Sequence, residues 1–258
     1  MKRDWDSPKM SKWLADLRLA AVFLTRLPIR PARERAGPLG EAAWAFAAIG
    51  IGVGLAGGIV FAIAIWLGLP ATPAAVLAVG CQVMLTGALH EDGLADTADG
   101  FGGGKDPEAK LRIMRDSRSG AFGVVAVVLS LAGRVAAIAS LEPALVAAAL
   151  VATGALSRAG TVWLMALMPP ARADGLGASA GRPGLEHAWA ATGIGALAGL
   201  LLLGFGPAVA MLVVGGIALA LFAQLAKRQV GGQTGDVLGA SQQVGELACL
   251  FALAAVLT

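Results

Sequence analysis

Seven apolar stretches, each near the ~20 residues that a helix needs to cross a bilayer, run through this chain: Ala42–Leu67, Pro73–Leu89, Ala121–Leu141, Pro143–Met168, Ala188–Leu203, Pro207–Ala226 and Val244–Leu257. A segment in hydrocarbon has no water to satisfy its backbone, and at this length it can do so only as a helix. The pattern predicts an all-α, polytopic membrane protein with about seven transmembrane helices, in a range of six to eight. It forms a single membrane-embedded domain over residues 1–258. Hydrophobic residues make up 57% of the chain, charged residues 14%, and mean hydropathy is +0.74, far from the soluble norm. Lys2, Arg3 and Asp4 open the chain where a signal peptide would need an apolar core, so a removable leader is not expected. Cys81 and Cys249 each lie alone in an apolar stretch and read as small core residues.

The basic residues report sidedness. With a cytoplasmic N-terminus, the inside segments 1–41, 90–120, 169–187 and 227–243 hold 9, 5, 2 and 2 Lys/Arg, which is 18 of the 20. Arg134 and Arg158 fall within spans, and the outside loops carry none. The positive-inside rule therefore places the N-terminus and every polar motif on the cytoplasmic side of a bacterial inner membrane. Topology accounts for the net charge of +3, and nucleic acid is not an expected partner. Ahead of the first span, residues 10–27 mix Trp13, Leu14, Leu17 and Phe23 with Lys12, Arg18 and Arg26. This composition predicts an interfacial amphipathic helix in contact with membrane lipid and without a catalytic role. Residues Gly52–Gly57 satisfy a G-x-G-x-x-G pattern, but they lie inside a span. Gly50, Gly54 and Gly58 recur there every four positions, which reads as close helix packing.

The chemistry concentrates in His90–Gly100, HEDGLADTADG. On a helix, Asp92, Asp96 and Asp99 stand at i, i+4 and i+7, and at about 100° per residue they fall within roughly 60° of one another. Three like charges on one stripe repel unless a divalent cation lies between them, and hard oxygen ligands suit Mg²⁺, or Mn²⁺ in its place, better than zinc. The competing reading is a solvated acidic helix start favoured by the helix dipole. Beyond it come Gly102-Gly103-Gly104-Lys105 and then Arg112, Arg115 and Arg118 at every third residue, a spacing able to clamp phosphate oxygens or simply to mark the inner face. Asp116, between two of these arginines, is a candidate to complete a metal shell or to orient the clamp. Lys227–Gly239 combines base, glycine turn, Thr234 and Asp236, and reads either as a phosphate-binding nest or as an ordinary interhelical turn. Arg158, next to Ser157 and deep in a span, needs a partner: a phosphate or carboxylate of a substrate, or an internal ion pair. Arg134 has the same two readings. His90 is a candidate base or ligand, or a structural residue, and Glu246 could reach the same cavity.

Taken together, HEDGLADTADG at 90–100, IMRDSRSGAFG at 113–123, LSR at 156–158, KRQVGGQTGD with LGA at 227–240 and TRLP at 25–28 resemble the cobalamin synthase family, the adenosylcobinamide-GDP ribazoletransferases. The resemblance implies a Mg²⁺-dependent reaction in which a ribose hydroxyl of α-ribazole phosphate, or of free ribazole, attacks the cobinamide-side phosphorus of adenosylcobinamide-GDP and GMP leaves. It makes Asp92, Asp96, Asp99 and Asp116 the metal set, for one ion or two. Lys105, Arg112, Arg115, Arg118 and Arg158 become phosphate partners. Thr234 and Asp236 are expected near the guanosine or ribazole, and Asp99 is favoured over His90 as the base. A homo-oligomer and association with other enzymes of the pathway stay open. The runner-up is a CDP-alcohol phosphotransferase-like enzyme of phospholipid synthesis, although Asp96 stands where that family's motif has an arginine. An ion-coupled transporter follows at a distance.

Overall fold

The computed structural model describes residues 8–29, 38–116 and 118–257. Lys2, Arg3, Asp4, part of the basic first segment and Ser117 lie outside the described residues. The described chain is built from helices: α1 (Pro8–Leu24), α2 (Ala45–Trp66), α3 (Ala71–Thr86), α4 (Leu89–Gly103), α5 (Pro107–Ile113), α6 (Ala121–Ser140), α7 (Pro143–Leu167), α8 (Leu176–Ser179), α9 (Leu185–Leu203), α10 (Phe205–Val230) and α11 (Gly235–Leu257). Six of them, α2, α6, α7, α9, α10 and α11, are long and apolar enough to cross a membrane singly, and α3 with α4 forms a seventh, broken candidate.

The stretch expected to cross as Pro73–Leu89 stops being helical at Thr86. Gly87 (φ 64°) and Ala88 (φ 57°) both adopt the left-handed conformation, and the chain resumes as α4 at 89° to α3. Glycine accepts that conformation freely, whereas Ala88 is the non-glycine residue with positive φ among the described residues. All the charge of the pair lies beyond the break. The apolar arm α3 packs against α2 and α6, while α4 lies across the first turns of α6 and α11.

α7 is the buried axis, with α2, α9 and α11 packed around it. Its contact with α2 rests on the glycines singled out in the sequence. A Cβ on Gly50 would stand 2.1 Å from the carbonyl oxygen of Gly154, one on Gly54 2.1 Å from that of Leu150, and one on Gly58 2.8 Å from Cα of Ala147. Backbone meets backbone here, and in a membrane, where burial gives helices no hydrophobic reason to associate, such close packing is a principal source of association. Gly52 of the same pattern faces open space, so the motif is a packing stripe and not a nucleotide loop.

This contrast makes a direct test. Gly54→Val should cost on the order of 3 kcal/mol by overpacking, while Gly52→Val, one helical step away on the open face, should change stability by less than about 0.5 kcal/mol. Thermal unfolding of the two variants in the same detergent checks it, and equal losses would remove the packing account.

Candidate active site at the junction of three helix ends

α4 is held at both ends by backbone and side-chain contacts that its sequence explains. Near its start Gly93 lies against α11, where a Cβ would stand 2.8 Å from the Asp236 carbonyl oxygen and 3.1 Å from Cα of Gly239. Near its end, Asp99 is buried, and its two oxygens accept the backbone N–H groups of Gly120 (2.6 Å) and Gly123 (2.8 Å) at the start of α6. Both α6 donors are among those a helix N-terminus leaves unpaired, so Asp99 acts as a cap supplied from another helix.

Below α4, inside the bundle, lies a buried charge network. Arg134 of α6 donates to Glu91 of α4 (3.0 Å), to Glu246 of α11 (3.2 Å) and to Gln82 of α3 (2.8 Å). Gln243 bridges Glu91 and Ser130, and Gln242 hydrogen-bonds both Ser157 and Glu246. Arg158 joins through electrostatic contact with Glu246 and Glu91, and its Nη1 donates to the carbonyl of Gly154 in its own helix (3.0 Å). His90 is buried beside it. The Arg158 and Arg134 charges both act on its imidazole.

Above α4 the acids are in excess. Asp92 is exposed and Asp96 half-buried, and Asp236 in the first turn of α11 faces them. The pKa of Asp96 is pushed up to about 7 by partial burial and then by the charges of Asp92, Asp236 and Asp99. The stripe expected at 92, 96 and 99 therefore splits, with Asp99 spent on α6 and Asp236, from a distant part of the sequence, joining Asp92 and Asp96. Asp116 is not in this group. It is exposed, clasped by Arg118 (2.7 Å), and that hydrogen bonding lowers its pKa. Among the described residues no three His, Cys, Asp or Glu side chains converge closely enough to hold a metal as they stand. The donor chemistry of Asp92, Asp96 and Asp236, oxygen only and with surplus negative charge, fits a hard divalent ion whose arrival would draw them together.

The 227–240 segment is mostly an interhelical turn. Lys227 and Arg228 close α10 at its C-terminus, Gly231 (φ 80°) ends it, and Thr234 caps α11 by accepting the Val237 N–H while its hydroxyl donates to Asp236. Gly232 permits the loop after α7 to approach, since a Cβ there would meet the Pro169 carbonyl oxygen at 2.2 Å. Gln233 completes the junction, pairing its backbone with Pro169 and Ala171 and its side chain with Gly177. That docking delivers Arg172 to within 3.6 Å of Asp236. Arg172 carried no motif in the sequence and counted only toward topology. Asp174 of the same loop receives Arg115 through both its oxygens (2.6 and 2.9 Å). Lys105 and Arg112 are exposed on the strip between α4 and α6.

The family model described as cobalamin-5-phosphate synthase matches residues 16–254. An adenosylcobinamide-GDP ribazoletransferase of Bradyrhizobium diazoefficiens is 49% identical over 94% of each chain. The same-named proteins of Mesorhizobium japonicum (49%, over 95% of each chain) and Azorhizobium caulinodans (46%, over 93% of this chain and 96% of its own) agree. The chain belongs to the cobalamin-5-phosphate synthase family. No solved structure matches it. Neither phospholipid synthesis nor ion-coupled transport finds support among these relatives. The motifs at 90–100, 113–123 and 227–240 meet around the start of α11 and the start of α6.

Asp96 gives the acid group a signature. Its folded pKa lies above the ordinary carboxyl value, so between about pH 4 and pH 7 the folded protein binds more protons than the unfolded chain. The associated stability is complete below that window and is lost as pH rises through it. Infrared titration should find a carboxylic acid band disappearing near pH 7, absent in Asp96→Asn and shifted to lower pH in Asp236→Asn. A band unmoved by Asp236→Asn would separate the two residues.

Removing Arg134 tests the network below. Arg134→Ala leaves Glu91 and Glu246 buried without their cation and should cost on the order of 3–5 kcal/mol, read as thermal unfolding. A loss under about 1 kcal/mol would mean that the carboxylates find other partners.

Proposed function

We propose that the chain is an adenosylcobinamide-GDP ribazoletransferase that works with its acid group at the cytoplasmic face of a bacterial inner membrane. The observation that carries this reading is the meeting of Asp92, Asp96 and Asp236 from two helices beside Arg172, with Arg115 fixed on the same loop. Breaking a pyrophosphate needs cationic charge on its oxygens and an acceptor for the proton of the incoming hydroxyl. Mg²⁺, held by Asp92 and Asp236 with Asp96 beside it, would supply the positive charge between the phosphates. The ribose hydroxyl of the ribazole attacks the phosphorus on the cobinamide side. The bond from that phosphorus to the GMP oxygen breaks, and GMP departs with the electron pair.

Asp96 is the side chain we assign to take the hydroxyl proton, because it lies half-buried in the acid group with no salt-bridge partner among the described residues. Asp99, with both oxygens occupied at α6, positions that helix, and His90 is buried within the bundle near Arg158. Arg172 and Arg115 would take the phosphate oxygens, exchanging their present carboxylate partners for substrate. Asp116 serves to orient Arg118. Lys105 and Arg112, exposed nearby, extend the basic surface that a guanosine diphosphate meets on approach. The positive-inside distribution of Lys and Arg supports the orientation.

Purified protein in lipid should release GMP from adenosylcobinamide-GDP only when Mg²⁺ and α-ribazole phosphate are both present. Asp96→Asn should lower kcat by about 10²- to 10⁴-fold, with Asp116→Asn closer to the parent. Release without the ribazole, or an Asp96→Asn variant of parental rate, would defeat this assignment.

A further inference from the structure

A cavity of about 190 Å³ opens beside the acid group, walled by α1, α2, α4, α7, α11 and the loop after α7. Its lining is mainly apolar: Phe23 and Leu24 from α1, Phe46 from α2, Leu89 from α4, Met165 from α7 and Leu238 from α11. Asp92, Asp236 and Arg172 stand on its rim, so a molecule seated in it presents its outer end to the groups assigned to the chemistry. The wall from α1 is fixed. The Trp44 indole donates to Asp16 (3.0 Å), the Arg26 N–H donates to the Leu85 carbonyl (2.8 Å), and the Phe23 and Phe46 rings lie near-parallel, 6.0 Å apart at 22°. The N-terminal helix, read from the sequence as a lipid anchor alone, is thus also one side of this chamber.

Size and polarity choose the occupant. An enclosed apolar space of about 150 Å³ accepts one benzene ring, so 190 Å³ suits a flat ring system of one or two fused rings. A corrinoid is far too large for it. Guanine would bring several donors and acceptors that such walls cannot pair, each costing free energy when buried. A benzimidazole joined to ribose has one ring nitrogen left to satisfy. Among the described residues His90, which lines the cavity, has no hydrogen-bond partner, while the nearby Thr161 hydroxyl donates to Ser241 (3.2 Å), whose own proton goes to the Leu238 carbonyl (2.7 Å). One imidazole N–H is enough for such a base.

We propose that this cavity is the seat of the ribazole base, with His90 donating to its free ring nitrogen and the ribose emerging between Asp92 and Asp236. The inference rests on the transferase reading but makes its own claim about which substrate lies where. It also gives His90 a task in binding, distinct from the proton transfer assigned to Asp96. The bulky corrinoid then never has to fit within the bundle.

The test uses full-length protein in nanodiscs, with binding of 5,6-dimethylbenzimidazole and of α-ribazole measured by calorimetry without donor substrate, and GMP as the competitor. The parent protein should bind both, and GMP should not displace them. Ala180→Phe, which fills the cavity from the loop, and Met165→Trp, which fills it from α7, should each weaken both ligands by about tenfold or more. In turnover the same variants should raise KM for α-ribazole phosphate by a like factor while leaving KM for adenosylcobinamide-GDP within about twofold. Either variant serves if the other fails to fold, as judged by its unfolding temperature. Displacement by GMP, or binding untouched in a folded, filled variant, overturns the proposal. Base binding lost on filling in a protein without transferase activity would leave the cavity assignment standing and remove the reaction; the reverse pattern would do the opposite.

Discussion

A guanidinium placed in an apolar bundle has to be paid for where it lies, and Arg134 meets that requirement by taking one partner from each of three other helices. Glu91 comes from α4, Glu246 from α11 and Gln82 from α3. With Arg158 nearby, the buried group holds two positive and two negative charges and sums to zero. Such a network contributes little net stability compared with well-packed hydrophobes, but it penalises any arrangement that separates its members. Its consequence is positional. α4, a polar helix of only 15 residues with little apolar surface of its own, is pinned across the bundle by Glu91 at one end and by Asp99 at the other.

Because adjacent residues on a helix point about 100° apart, pinning Glu91 inward turns Asp92 and Asp96 outward. One short helix thus carries acids with different fates: Glu91 is neutralised within the bundle, Asp99 is consumed by the α6 backbone, and Asp92 and Asp96 are left without a salt-bridge partner among the described residues, Asp92 lining the cavity. The turn between α10 and α11 does comparable work on the other side. Its glycines let the loop after α7 dock by backbone contact, and Arg172 and Asp174 ride in on that loop.

Features that depend on neighbours in sequence were legible there. The helical spacing of Asp92, Asp96 and Asp99, the Gly50, Gly54 and Gly58 stripe and six of the seven crossings are local periodicities, and the structure has them. The break in the seventh had no such signal, because hydropathy does not register two left-handed residues at Gly87 and Ala88. Asp236 joining the acids, Asp99 leaving them, Arg172 arriving and α1 walling the cavity are all contacts between segments remote along the chain, and no spacing encodes them. Arg172 had the weakest signal: a lone arginine in a loop rich in glycine and alanine looks like a topology marker, and only the docking of Gln233 onto Pro169 and Gly177 gives it a target.

The charge balance above α4 differs from that below it, and the difference bears on what the site can hold. Three carboxylates face one arginine there, and the strain shows in Asp96, which keeps its proton to about pH 7. A monovalent ion or a single further lysine would leave the ionised group negative and still repelling a pyrophosphate. A divalent cation would bring three carboxylates and Arg172 to neutrality, release the Asp96 proton and leave that carboxylate free to accept another. On the proposed reading, the same surplus would couple cation binding to the release of a carboxylate that can act as a base.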